Sequence, residues 1–152
     1  MQIQGLQKLT LLDYPGRTAC TVFLSGCNFR CPFCHNAPLL TAADEDGMDE
    51  DELLAFLKKR QGLLDGVAVT GGEPLLRPEL PALLEKIKAL GYAIKLDTNG
   101  AFPERLEAVV RAGLADDVAM DIKNSPERYA ETAGVPGLDL TPVFRSVSFL
   151  LR

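Results

Sequence analysis

The sequence predicts an α/β domain built on a parallel sheet, and three observations carry that prediction. Apolar, partly β-branched runs of strand length alternate with stretches of helical periodicity, about four strand–helix units in all. Each chemically unusual cluster follows the C-terminal end of one of those runs, the place where parallel sheets gather their chemistry. The 152 residues suit one domain, 1–152, large enough to bury about two-thirds of its unfolded surface.

Residues 5–16 lead into a turn at Pro15-Gly16. The first strand is expected over 17–25, with Cys20 inside it as a small core residue. After the cysteine-bearing stretch that follows it, an acidic run from Thr41 to Glu52 reads as a solvated loop entering a helix. Leu53, Leu54, Phe56 and Leu57 give that helix its apolar face, and Lys58, Lys59 and Arg60 suit its C-terminal end. Gly66 to Thr70 is a short buried strand, followed by a helix over 78–90 with Gly91 as its stop. Tyr92 to Leu96 forms the third strand, and Pro103 opens a helix over 103–112. Asp117 to Lys123 is the fourth strand. A last helix runs from Thr141 to Arg152, with Thr141 as its cap and Pro142 in its first turn.

Composition excludes some functions. The formal charge is −5, with 47% hydrophobic and 24% charged residues, and no basic block is dense enough to neutralise a phosphate backbone. No run approaches the roughly 18 apolar residues of a membrane span, and the first residues lack the pattern of a secretory signal. The cytoplasm is the expected location, without nucleic-acid or membrane partners. There, clustered cysteines point to a metal or catalytic site rather than to disulfides.

Cys27, Cys31 and Cys34 form a C-x3-C-x2-C spacing within residues 26–36. A zinc site would have to add His35, but adjacent Cys34 and His35 have difficulty reaching one tetrahedral ion together. Cys31 to His35 also matches the C-x-x-C-H of covalent haem attachment, a reading that needs export and leaves Cys27 unexplained. A four-iron cluster held by three thiolates uses all three cysteines and leaves one iron open to a ligand.

The other strand ends supply further candidates. Gly71-Gly72 permits close backbone approach, and Glu73 is suited to an ammonium group, although a glycine pair after a strand is more often only a turn. Asp97-Thr98-Asn99-Gly100 reads equally as a polar site or as a strand-to-helix turn. Asp121 and Lys123 alternate along strand four and so share a face. A parallel sheet brings all these strand ends to one rim.

Taken together, these residues resemble the radical S-adenosylmethionine superfamily over essentially the whole chain. The resemblance rests on Cys27, Cys31 and Cys34 with Phe33 before the last cysteine, and on Gly71-Gly72-Glu73-Pro74. Within the superfamily, Asp13-Tyr14-Pro15-Gly16, Cys34-His35-Asn36, Asp97-Thr98-Asn99-Gly100 and Met120-Asp121-Ile122-Lys123 are similar to the glycyl-radical enzyme activating proteins. The branch that activates anaerobic ribonucleoside-triphosphate reductase is the nearest in pattern, with pyruvate formate-lyase activating enzyme beside it.

The resemblance implies a partial (β/α) barrel that carries a [4Fe-4S] cluster and S-adenosylmethionine. Reductive cleavage would give a 5′-deoxyadenosyl radical, which takes a hydrogen atom from a glycine of a partner glycyl-radical enzyme. It also implies roles for residues. Phe33 and His35 lie along the adenine, Gly71, Gly72 and Glu73 hold the methionine amine, and Asp121 and Lys123 face the carboxylate and ribose. Asp97 and Thr98, beside Asn99, hold a monovalent cation. A flavodoxin or ferredoxin would supply the electron. Four of the superfamily's usual six strand–helix units are legible, so the same resemblance implies a C-terminally short core. A small-molecule enzyme like 7-carboxy-7-deazaguanine synthase and a non-catalytic metal-binding module remain the alternatives.

Overall fold

The computed structural model describes residues 2–24, 48–121, 129, 133, 135 and 137–151. Its elements in chain order are β1 (Gln2–Ile3), β2 (Gly5–Thr10), β3 (Ala19–Leu24), β4 (Met48–Asp49), α1 (Glu50–Lys59), β5 (Gly66–Gly71), α2 (Leu80–Ala89), β6 (Ala93–Thr98), α3 (Pro103–Arg111), β7 (Asp117–Met120) and α4 (Thr141–Leu150). A 3-10 turn, Pro74–Leu76, follows β5. The main sheet has the order β2-β3-β5-β6-β7, and β3, β5, β6 and β7 run parallel, as the strand–helix alternation predicts. Among the described residues, no helix is long and apolar enough to cross a membrane.

Three features depart from the sequence reading. The sheet is mixed, because β2 pairs antiparallel with β3 at its edge, and β1 pairs with β4 as a separate two-stranded ribbon. The segment Gly5–Thr10 lacks a clean period of two, with Gln7, Lys8 and Leu9 all exposed, so it carries little strand signal of its own. The second is β7, which ends at Met120, so that Asp121 lies beyond the strand expected to reach Lys123. The third departure is at α4. Thr141 is its first helical residue rather than its cap, and Asp139 Oδ1 accepts from the Thr141 N–H instead (3.0 Å). An aspartate two residues upstream does there what a capping hydroxyl would do. The acidic entry to α1 is as expected: Asp49 caps it, accepting from the Glu52 N–H at 2.8 Å.

Strand alternation sorts the sheet into two unlike faces. On one, Cys20, Val22, Leu24, Val67, Val69, Ile94 and Leu96 join the buried leucines of α1, α2 and α3 in one core. Cys20 is fully buried in β3, and burial pushes its thiol up to about 12, so it stays protonated as core filler.

The opposite face carries Thr21, Ala68, Lys95, Asp97 and Asp117. Residues 11–17 cross its lower end as a strap. Tyr14 is buried there, lying so close over Gly66 that a Cβ on Gly66 would meet the ring at 2.8 Å. The Tyr14 hydroxyl donates to Asp117 Oδ2 (2.7 Å), and Arg17 stacks on the ring 5.5 Å from its centre. Asp13 accepts from the Thr21 hydroxyl (2.7 Å), and its carbonyl accepts from Lys95 Nζ (2.7 Å).

Leu96 lies fully buried at the middle of the sheet, and Leu12 is 86% exposed on the strap. Urea denaturation should therefore show a loss of about 2–5 kcal/mol for Leu96→Ala and less than about 0.5 kcal/mol for Leu12→Ala. Burial, and then the hydrogen bond to Asp117, push the Tyr14 phenol up to about 12 from its ordinary 10.0. A raised folded-state value means stability that is intact below pH 10 and lost as pH climbs toward 12. Alkaline denaturation of Tyr14→Phe should show a shallower fall across that window than the parent chain.

Candidate functional site

The C-terminal ends of β3, β5, β6 and β7 lie side by side, and the site is built from what emerges there. Gly71 closes β5 in register with Leu24, the last residue of β3. Its φ is +143°, and a Cβ would sit 2.2 Å from the Leu24 carbonyl oxygen and 2.5 Å from its nitrogen. Only glycine fits, and the cause is the neighbouring strand's backbone. The Gly72 N–H then donates to the Leu24 carbonyl (3.1 Å). Leu24, the last described residue before the cysteine-bearing stretch of the sequence, therefore lies directly beside the glycine pair.

Glu73 follows, with no exposed surface. A carboxylate that deep is costly unless donors surround it. Oε1 accepts from the Asn99 N–H (2.7 Å), Oε2 accepts from the Leu75 N–H (3.2 Å), and the Thr98 hydroxyl approaches both oxygens, at 3.0 and 2.8 Å. One side chain thus fastens the turn after β5 to the turn after β6. Thr98 Oγ1 in turn accepts from the Gly100 N–H (3.1 Å), and Asn99 Oδ1 accepts from the Ala101 N–H (2.9 Å). Asp97-Thr98-Asn99-Gly100 is a strand-to-helix turn and part of the rim at the same time.

Two further contacts brace this turn. The Thr98 carbonyl accepts from the Asp121 N–H (3.0 Å), which brings the exit of β7 to the same place; the Asp121 residue itself is exposed. From the other side, the buried Ser146 hydroxyl of α4 donates to the Gly100 carbonyl (2.7 Å). Ser146 escaped the sequence reading. Its only signal is a hydroxyl on the same helical stripe as the buried Val143.

Asp97 points to the opposite face of β6 from Thr98, where the Lys95 ammonium lies 3.0 Å from its Oδ1. Gly71, Gly72, Glu73, Thr98, Asn99 and the Asp121 backbone are thus brought together, with Asp97 beside them on the strap-bearing face. Cys27, Cys31, Phe33, Cys34, His35 and Lys123 lie outside the described residues. Among the described residues there is no group of three or more potential metal ligands. A cleft of about 400 Å³ between the starts of α3 and α4 holds none of the predicted residues. Its two arginines already have protein partners: Arg105 donates to the Leu75 carbonyl, and Arg145 pairs with Glu104 and Glu107.

Comparison with known proteins accords with this arrangement. Residues 21–149 match the Radical SAM superfamily. A Methanocaldococcus jannaschii protein provisionally named a glycyl-radical enzyme activating enzyme is 33% identical over 133 residues, 85% of this chain and 53% of its own. The pyruvate formate-lyase-activating enzyme of Clostridium pasteurianum is 34% identical over 129 residues, 81% of this chain and 52% of its own. A 7-carboxy-7-deazaguanine synthase of Hyperthermus butylicus is 36% identical over 91 residues, 59% of this chain and 38% of its own. The chain spans about half the length of the first two relatives. The solved structure of TYW1 with a lysine-pyruvate adduct bound has the same fold over 88% of this chain and 51% of that one, with a TM-score of 0.62 at 15% identity.

Removing the hydroxyl that serves Glu73 leaves a buried carboxylate short of a donor. Thr98→Val should cost about 1–3 kcal/mol in urea denaturation, against about 1 kcal/mol for Ser146→Ala, which leaves only a neutral carbonyl short.

Proposed function

This chain belongs to the radical SAM superfamily, and we propose that within it the chain activates a glycyl-radical enzyme. The observation that carries this reading is the breadth of likeness. The two relatives named for such activation match 85% and 81% of the chain, the deazaguanine synthase 59%. Cys34-His35-Asn36 and Asp13-Tyr14-Pro15-Gly16 point the same way.

Membership implies a [4Fe-4S] cluster and S-adenosylmethionine, and the donor set fits both. Cys27, Cys31 and Cys34 would supply three thiolates for the cluster. Bound there, the cluster would supply the electron for reductive cleavage of S-adenosylmethionine to methionine and a 5′-deoxyadenosyl radical, which would take hydrogen from a glycine of the partner enzyme. The protein's part is to orient and exclude. The Gly71-Gly72 backbone and Glu73 receive the methionine amine. The Glu73 carboxylate, buried and held by protein donors, keeps in place the turn that carries the glycine pair.

Asp121 and Lys123 hold the carboxylate and ribose, and Phe33 and His35 lie along the adenine. Asp97 and Thr98 serve a monovalent cation beside the carboxylate. A flavodoxin or ferredoxin is the electron donor, and the cytoplasm is the setting.

A second reading is a small-molecule substrate, favoured by the 36% identity to the deazaguanine synthase over the stretch that the two share. The two separate in one anaerobic experiment. The chain, reconstituted with iron and sulfide, should form 5′-deoxyadenosine from S-adenosylmethionine and dithionite. With a glycyl-radical enzyme added, an electron paramagnetic resonance signal of a glycyl radical should grow in. Nucleoside formation with no protein radical supports the small-molecule reading; zinc in place of iron, with no nucleoside, contradicts both.

A further inference from the structure

Asp13-Tyr14-Pro15-Gly16 has no role in the reading above, and neither does Lys95, a charged residue in the middle of a buried strand. The structure joins them. Lys95 and Asp97 stand two apart on β6 and project to the face that the strap crosses. The Lys95 side chain is only 17% exposed, and its ammonium has two partners: the Asp13 carbonyl at 2.7 Å and Asp97 Oδ1 at 3.0 Å.

Two other described acids on this face are engaged elsewhere. The Asp13 carboxylate accepts from Thr21, and Asp117, beside Lys95 on β7, accepts from Tyr14. Among the described residues, the registered cross-strand neighbours of the pair besides Asp117 are alanines: Ala68 on β5 next to Lys95, and Ala119 on β7 next to Asp97. Asp97 Oδ1 is buried and accepts no hydrogen bond of ordinary geometry, so the ammonium contact is what fixes it.

We propose that Lys95 is a positioning residue for the rim: anchored from below by the Asp13 carbonyl of the strap, its ammonium holds the Asp97 carboxylate at the end of β6, where Asp97 serves the cation beside the S-adenosylmethionine carboxylate. The proposal rests on the rim being the S-adenosylmethionine site. A lysine suits the task, because its point charge divides three donors between a neutral carbonyl and a carboxylate. A mostly buried ammonium also needs a carboxylate to offset its desolvation, and the strap offers only a neutral carbonyl. The strap motif thereby acquires a function: it sets the height of the ammonium, and through it that of Asp97.

The test is a double-mutant cycle on S-adenosylmethionine affinity, measured by anaerobic calorimetry on the cluster-reconstituted chain, with thermal melting of each variant alongside. Lys95→Gln should weaken binding about tenfold, and Asp97→Asn by a similar or larger factor. The double variant should bind no more weakly than Asp97→Asn alone, and Lys95→Arg, which keeps the charge, should retain most of the affinity. An equal loss from Lys95→Gln in both backgrounds would make Lys95 merely structural and overturn the proposal. So would an unchanged affinity for Lys95→Gln. If the parent chain itself binds no S-adenosylmethionine, the reading of the rim falls, and this inference falls with it.

Discussion

The buried carboxylate of Glu73 is the constraint on which the rest of the rim depends. It cannot exist at that depth without donors, and among the described residues those donors come from two places: Leu75 after β5, and Thr98 and Asn99 at the end of β6. Satisfying one charge therefore fixes the relative position of two loops. Gly71 makes the arrangement possible by letting β5 pass against the Leu24 backbone, and Ser146 secures the β6 turn from behind. The result is a set of strand ends organised by the protein's own hydrogen bonds.

The two faces of the sheet divide the work. The helix-bearing face is apolar and supplies the stability. The other face carries threonine, lysine and aspartate side chains under the strap of residues 11–17. Polar groups of that kind are tolerated where they satisfy one another, and here they form a linked set: Thr21 to Asp13, Asp13 to Lys95, Lys95 to Asp97, and Tyr14 to Asp117. That face ends at the same rim, so the polar set and the Glu73 lattice meet around Asp97 and Thr98.

Most of the architecture was legible in the sequence because burial on the helix side leaves a strong local mark. Val67 to Val69 and Ile94 to Leu96 read as strands from their own residues, and the leucines of α1 to α3 read as helical stripes. Strand β2 was not legible, since its pairing depends on β3 and its own residues are mostly solvent-facing. The glycine pair and Glu73 were visible as candidates, but their physical reasons were not. That Gly71 is required by the Leu24 backbone, and that Glu73 is held by Thr98 and Asn99, are facts about residues far apart in sequence. Lys95 was illegible for a related reason: alternation says that it faces away from the helices, and only the fold says that a strap carbonyl waits there.

Hydrogen–deuterium exchange on the anaerobically reconstituted chain, with and without S-adenosylmethionine, tests the central claim most directly. If the strand ends are where the nucleotide is received, the ligand should slow exchange in peptides covering 71–76 and 97–101, while α1 and the outer turns of α3 stay unchanged. Protection confined to other regions, or none at all despite measurable binding, would contradict the account.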